Sequence, residues 1–303
     1  MRIAVIGAGG VGGYYGALLQ RAGHEVLYVA RGAHAAAMRA EGLRIESVVE
    51  TPFVVHAHIA ESIAGTDPVA LVLFTVKAYD TAAASEILPP LIGKDTAVLT
   101  LQNGVDNVDA LAAAAGRDHV LGGTAYIFSS IAAPGVITQT GGRRRIVFGE
   151  LDGRRTPRAE AILAAFQETG IPIDLIDTIM VEMWEKYIFI TAQAGMTAMT
   201  RLPIGKIREV PETFAMYLDA ADEVAAVGRA TGVAIPEGQR DRVRKMAEAL
   251  EPGNYSSLYS DLVHGRRMEL EALPGTVVRL GRTYGIPTPV CRAIYAALKP
   301  YDK

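Results

Sequence analysis

The chain is almost without cysteine and tryptophan: Cys291 and Trp184 are single examples of their kind in 303 residues. One thiol can close no intrachain disulfide and build no thiolate metal centre, so the fold rests on its core and a reducing cytoplasm is the expected setting. An excess of charge is missing too. Lys and Arg number 30 against 33 Asp and Glu, and the net charge of -3 leaves no electrostatic surplus to drive binding to nucleic acid or anionic lipid. Long apolar runs are absent: the best, 69–76 and 187–199, fall short of the ~18 residues that a membrane span needs. Near the start, Arg2 precedes an apolar run over 3–6 that glycines interrupt at once, which predicts a strand rather than an export signal.

Apolar residues and glycine, by contrast, are abundant. Half of the chain is hydrophobic, 21% is charged and 31 residues are glycine, a composition that folds around a core, and at roughly 150 residues per domain the length allows two. Over 1–177, short β-branched runs at 2–6, 25–29, 69–75, 97–100, 120–127 and 146–150 alternate with helical stretches around 11–21, 34–41, 81–88 and 105–114. That succession predicts a mostly parallel sheet with helices on its faces. Ala133-Pro134-Gly135 and Gly141-Gly142 mark turns between short strands and predict a hairpin-rich edge; a helix over 157–170 and a strand over 171–175 follow. From 178 to 303 the pattern is helical throughout, with helices expected at 179–199, 211–231, 239–249, 260–264 extending into 269–284, and 289–299. An α/β domain over 1–177 followed by an all-α domain over 178–303 is the expected architecture.

Gly7-Ala8-Gly9-Gly10-Val11-Gly12 fits G-x-G-x-x-G. The match gains weight from its context: it follows the first strand directly, opens a helix and precedes a second strand at βαβ spacing, as in a Rossmann-type dinucleotide site. There the glycines give a tight turn, close approach of a pyrophosphate and close helix packing, while the helix amino terminus offers N–H donors. At the end of the second strand an NAD site presents Asp or Glu to the ribose; this chain has Val29-Ala30-Arg31-Gly32. A guanidinium with no carboxylate beside it attracts a 2′-phosphate, so NADP(H) is expected, with Arg31 as the clamp.

Several residues suit the reduction of a carbonyl next to such a cofactor. Lys186 lies in the apolar run 184–190, where desolvation lowers an ammonium pKa toward the working range of a general acid; Glu182, one turn earlier, equally suits an ion pair with a snorkelling lysine. Asn103 follows the strand over 97–100, at the edge where open α/β sheets bind ligands, and as Asn103-Gly104 it also fits a plain turn.

Gly7–Gly12, Thr75-Val76-Lys77-Ala78, Thr100-Leu101-Gln102-Asn103-Gly104-Val105, Trp184-Glu185-Lys186, Ser256-Ser257-Leu258 and Arg266-Arg267-Met268-Glu269-Leu270-Glu271, in this order and at these separations, resemble the ketopantoate reductases (2-dehydropantoate 2-reductases). The resemblance spans almost the whole chain. It implies a Rossmann-type domain followed by a helical domain of the 6-phosphogluconate dehydrogenase C-terminal kind, with the active site in the cleft between them. It implies NADPH-dependent reduction of ketopantoate to pantoate, a step of pantothenate biosynthesis. Carried over residue by residue, it makes Lys186 the general acid with Asn103 beside it. Gly7, Ala8, Gly9, Gly10, Val11, Gly12, Arg31, Lys77 and Asn103 then fall at the cofactor, and Lys77, Asn103, Lys186, Ser257 and Glu269 at the substrate. Glu269 also fits a solvated charge beside Arg266 and Arg267. One departure matters: four and eight positions after the lysine, where the family usually has asparagine, stand Ile190 and Ala194, with Gln193 at a neighbouring angle. A lost amide partner changes substrate preference by roughly tenfold or more, so either a 2-keto acid less polar than ketopantoate or poor turnover of ketopantoate is expected.

The remaining features call for little. His56 and His58 alternate as on a strand but lack a third ligand nearby; Arg143-Arg144-Arg145 reads as a solvated hairpin tip; Asp219, Asp222 and Glu223 read as a helix-surface acid cluster; and Met180, Met183, Met196 and Met199 read as core filling. No metal is expected. Two other functions fit parts of the chain: a 3-hydroxy acid dehydrogenase, and a non-catalytic NADP(H)-binding regulator that needs neither Lys186 nor Asn103. A homodimer through exposed helices of the second domain is compatible with the pattern.

Overall fold

Four consecutive apolar residues, Ile3 to Ile6, leave no polar face, and in the computed structural model, which describes residues 1–60, 63 and 65–303, they form a buried strand, β1 (Arg2–Ile6). The chain continues through α1 (Gly10–Arg21), β2 (Glu25–Val29), α2 (Gly32–Glu41), β3 (Leu43–Ser47), β4 (Phe53–Val55), β5 (His58–Ala60) and β6 (Leu71–Phe74). Then come α3 (Thr81–Ser85), β7 (Ala97–Thr100), α4 (Asn107–Ala115), β8 (Val120–Ala133), β9 (Val136–Glu150), α5 (Pro157–Gln167) and β10 (Ile173–Leu175). The strands make one sheet in the order β4-β3-β9-β8-β7-β6-β1-β2-β5, with β10 on β9. Pairing is parallel except between β8 and β9 and between β3 and β4. The chain leaves β1 on one side for β2 and β5 and returns on the other side for β6, so its direction switches at the carboxyl ends of β1 and β6. That is where an open α/β sheet leaves a crevice for a ligand.

The hairpin differs from its expected place. β8 and β9, 14 and 15 residues long, lie inside the sheet, and β3 with β4 extends it beyond them. Leu43 and Ile45 of β3 are buried in alternation, a period-2 signal over five residues that is short enough to be overlooked. Ala133-Pro134-Gly135 does mark the turn, whereas Gly141-Gly142 lies within β9 opposite register slips near Phe128. Gly142 has φ +81, and a Cβ there would stand 2.8 Å from Ile127 Cα, so the pair is a bulge that only glycine allows. Arg143 to Arg145 therefore occupy mid-strand rather than a tip: Arg144 donates to Glu50 at 2.5 Å and Arg145 to Asp174 at 2.6 Å. His56 falls between β4 and β5, so it shares no strand with His58. The helix expected over 81–88 stops at Ser85, and that expected from 105 starts at Asn107.

Helices alone make up the rest: α6 (Ile179–Thr200), α7 (Ile204–Glu209), α8 (Pro211–Ala230), α9 (Gln239–Ala249), α10 (Ser257–Val263), α11 (Thr276–Tyr284) and α12 (Pro289–Leu298). A π-helical turn, Glu271–Gly275, precedes α11 where one continuous helix was expected. Its cause is Pro274, which has no N–H for the Leu270 carbonyl; Gly275 N–H donates to that carbonyl instead, at 3.0 Å, one residue further along. Met196 is fully buried in the helical core, with Met180 and Met199 packed at its margin, and Met183 is buried as well. The acid cluster has internal partners: Asp219 and Asp222 accept from Arg240, and Glu223 accepts from the N–H groups of Val290 and Cys291 at the start of α12.

The chain divides into two compact units, Met1–Gln102 with Asn107–Ile179, and Asn103–Asp106 with Met180–Lys303. The main boundary lies close to residue 177, and four residues, Asn103 to Asp106, leave the α/β unit for the helical one. Each unit has its own apolar core.

Candidate active site

At the crevice of the first unit the glycines divide their tasks. Gly7 takes φ +98, and a Cβ on it would lie 2.7 Å from Val76 N. Gly12 faces Thr75 Oγ1 and Gly7 O at 2.1 and 2.3 Å from its own hypothetical Cβ, so α1 presses on β1 and β6 more closely than any side chain permits. Gly10 meets the Ser129 carbonyl in the same way. Gly9 has nothing within 4 Å of such a Cβ: the fold does not require glycine there, and the space beside it is open. No side chain caps α1, whose first N–H groups and dipole face that opening without a protein acid in the first turn. A close backbone approach left open beside an uncapped helix amino terminus fits a pyrophosphate.

Side chains at the ends of β6 and β7 brace this loop. Thr75 Oγ1 donates to Gly7 O at 2.8 Å, and buried Gln102 donates to Val76 O at 2.9 Å and to Thr81 Oγ1 at 2.8 Å. Gln102 thus fixes the position from which Lys77 emerges, exposed, after β6. Arg31 is exposed at the amino terminus of α2, whose first turn contains no acid.

In the helical unit, Lys186 Nζ donates to Asn103 Oδ1 at 3.0 Å. Asn103 is held there because its neighbours are anchored: Val105 enters the helical core, and Asp106 accepts from Thr276 Oγ1 and Arg279, both at 2.8 Å. On other faces of α6, Trp184 and Tyr187 pack edge to face, and the Tyr187 hydroxyl donates to Leu273 O at 2.5 Å in the π-helical turn. Desolvation lowers the Lys186 pKa to about 8, against the opposing charges of Glu269 and, less, Glu182. Glu269 itself is buried and therefore no solvated partner of the neighbouring arginines. Lys186, Asn103 and Glu269 come together; Ser257 is exposed at the first turn of α10, while its neighbour Ser256 caps that helix and accepts from Thr197 of α6 at 2.7 Å.

Two family models cover the chain, "Ketopantoate reductase PanE/ApbA" over residues 3–153 and "Ketopantoate reductase PanE/ApbA C terminal" over 178–302. The chain belongs to the ketopantoate reductase family. Similar proteins include an uncharacterized oxidoreductase, YkpB, of Bacillus subtilis, 31% identical and covering 100% of this chain and 99% of that one. A 2-dehydropantoate 2-reductase of Mesorhizobium japonicum is 32% identical, with 99% and 97% covered. The crystal structure of a PanE/ApbA family ketopantoate reductase from Ralstonia eutropha superposes with a TM-score of 0.90 at 34% identity, over 99% and 98% of the two chains. The protein is an oxidoreductase of this class, and no helix among the described residues is long and apolar enough to cross a membrane.

Within this chain, the positions that depart from the family pattern lie on α6. Ile190 is half-buried and Ala194 buried. Gln193, 5% exposed, donates to Asn254 Oδ1 at 3.4 Å, and its own Oε1 is buried without a partner. Sequence reasoning left Gln102, Thr75 and Thr81 aside, although Gln102 stands inside the Leu-Gln-Asn-Gly piece; a buried amide between two strand ends was the available signal.

Proposed function

We propose that this enzyme reduces a 2-keto acid to the 2-hydroxy acid with NADPH, ketopantoate to pantoate or a related, less polar 2-keto acid. The observation that carries the reading is Lys186, desolvated, hydrogen-bonded to Asn103 and electrostatically coupled to buried Glu269. The Gly7–Gly12 turn fits a dinucleotide by its open face at Gly9, and the bound nicotinamide supplies the hydride. Gly7, Ala8, Gly9, Gly10, Val11 and Gly12 would frame the pyrophosphate, Gly7 through the shape of its turn since its own N–H donates to Val29 O at 3.3 Å. Arg31 holds the 2′-phosphate. Lys77 would attract the single carboxylate of the substrate beside the nicotinamide.

Asn103 orients Lys186 by accepting an N–H bond from its Nζ at 3.0 Å. With a pKa of about 8, Lys186 is charged at neutral pH and close enough to that pH to give its proton to the developing alkoxide. The C2 carbon gains the hydride, the C2 oxygen gains the lysine proton, and the neutral amine takes a proton back from water. In the oxidative direction the same amine is the base. Glu269 keeps Lys186 charged between turnovers, and Ser257 hydrogen-bonds the substrate. Ile190 and Ala194 remove two polar contacts, which favours an apolar branch on the keto acid.

NADPH oxidation against a panel of branched 2-keto acids tests this reading, with Lys186→Ala as control. Turnover lost on every substrate with NADPH binding retained is the expected outcome; no turnover by the wild type on any 2-keto acid, or ketopantoate turned over far better than less polar analogues, would overturn the activity or the substrate preference respectively. For Arg31→Ala the NADPH constant is expected to weaken about tenfold with the NADH constant unmoved, the loss of one charge-assisted contact; equal constants before and after remove the clamp.

A further inference from the structure

The carbonyl of Ala8, in the middle of the glycine turn, accepts a hydrogen bond from His34 Nε2 at 2.9 Å. The other ring nitrogen, Nδ1, faces the backbone N–H of Gly135 at 3.0 Å. A backbone N–H only donates and a carbonyl only accepts, so the ring carries its proton on Nε2 and none on Nδ1. Burial lowers the His34 pKa and so favours the same neutral ring. The two anchors differ in firmness. Gly135 is held from both sides: its carbonyl accepts from Arg44 N at 2.9 Å, and its Cα face lies against Ala37 of α2, 3.1 Å from where a Cβ would stand. The Ala8 peptide has open space beside it at Gly9. His34 thus ties the glycine turn to the turn between β8 and β9 from within the first turn of α2, three residues after Arg31.

We infer that His34 is a positioning residue of the dinucleotide site, fixing the Ala8–Gly9 peptide plane so that the Gly9 N–H is aimed before a pyrophosphate arrives. In a planar trans peptide the carbonyl oxygen and the following N–H point in opposite directions, so a carbonyl held by the ring fixes the opposite direction for the donor. Without the ring the plane is freer to rotate about Ala8 ψ and Gly9 φ, the second a glycine bond, and ordering it falls to the ligand. The inference rests on the dinucleotide reading of the turn, and goes beyond it in giving a role to a residue outside the motif.

Direct binding titrations with NADPH and with adenosine 2′-monophosphate, which carries the 2′-phosphate but no pyrophosphate, test it. His34→Leu is expected to weaken NADPH tenfold or more and the monophosphate less than twofold; at least one of His34→Gln and His34→Asn, whose carboxamides offer an acceptor and a donor, recovers NADPH to within about threefold. Unchanged NADPH binding by His34→Leu, equal weakening of both ligands, or recovery by neither carboxamide overturns the inference. Should His34→Leu fail to fold, the ring 15N spectrum of the wild type decides: an Nε2–H neutral ring at pH 7 supports it, and an Nδ1–H ring or a cation overturns it. A wild type that binds neither NADPH nor NADH overturns the dinucleotide reading itself, a result seen before any substitution is made.

Discussion

The two candidate sites are built from opposite materials. In the α/β unit the site consists of backbone and of missing side chains: Gly7, Gly10 and Gly12 are glycines because a Cβ would collide with the protein, and Gly9 is one although a Cβ would collide with nothing. In the helical unit the site consists of side chains, a half-buried lysine, an amide and a buried carboxylate, each placed by packing. A backbone site tolerates almost no variation at its glycines and shows as a motif. A side-chain site depends on residues far apart in sequence, so its chemistry is visible only once the fold has gathered them.

The largest effect separating the two belongs to Lys186→Met. Removing a general acid costs typically 10²–10⁴ in rate, so kcat is expected to fall by that order while NADPH binding stays within a factor of two. If NADPH affinity fell in parallel, the division between a cofactor-holding and a proton-giving site would be wrong.

Within the backbone site, Gly12→Ala and Gly9→Ala separate folding from binding. At Gly12 the new methyl stands 2.1 Å from Thr75 Oγ1 and 2.3 Å from Gly7 O, a backbone atom that cannot swing aside. Overpacking of this kind costs about 1–3 kcal/mol, seen as a lower thermal midpoint of the ligand-free protein. At Gly9 the methyl enters open space, so the midpoint is expected to stay within a degree or so while NADPH binding weakens about tenfold. A Gly9→Ala variant that binds NADPH as the wild type does would show that the open face is not where the pyrophosphate lies.

These contrasts also account for what could be read from the sequence alone. The βαβ order, the glycine turn, the missing acid at Arg31 and the change to helices near 177 are local patterns, and each reappears in the structure. The long β8–β9 hairpin was read as short edge strands because the Gly141-Gly142 bulge looks like a turn when no partner strand is in view. The excursion of Asn103 to Asp106 into the helical unit has no local signature, since it depends on Thr276 and Arg279, some 170 residues away in sequence. Lys186 as an acid, rather than a snorkelling lysine, rested on the family likeness; the structure adds the desolvation and the Asn103 bond.

A smaller effect sharpens the side-chain site. Glu269 raises the Lys186 pKa against desolvation, so Glu269→Gln lowers it below about 8. Reduction uses the charged lysine, which is lost as pH rises through that pKa. The alkaline limb of kcat/KM for reduction therefore moves to lower pH in Glu269→Gln, and the acid limb of the reverse oxidation moves with it. Glu182→Gln is expected to shift both limbs the same way by less, in keeping with its weaker influence. A shift to higher pH in either variant would mean that the limb reports some other group.

The smallest effect concerns Gln193, where the helical site departs from the family pattern. Lys186, Ile190, Gln193 and Thr197 follow one another at three- and four-residue steps, so they lie along one face of α6. Thr197 donates to Ser256, and Gln193 gives one of its two N–H donors to Asn254 while its Oε1 remains buried without a partner. A buried acceptor left unmade costs about 1–3 kcal/mol, which a substrate hydroxyl reaching that depth would recover. Gln193→Leu removes the acceptor. If Gln193 stands in for the missing asparagines, this variant loses several-fold in kcat/KM on a hydroxylated 2-keto acid such as ketopantoate and nothing on its apolar analogue. If it serves only to hold Asn254 and the chain before α10, both substrates suffer alike and the thermal midpoint falls with them, and the preference for an apolar branch is then set by Ile190 and Ala194 alone.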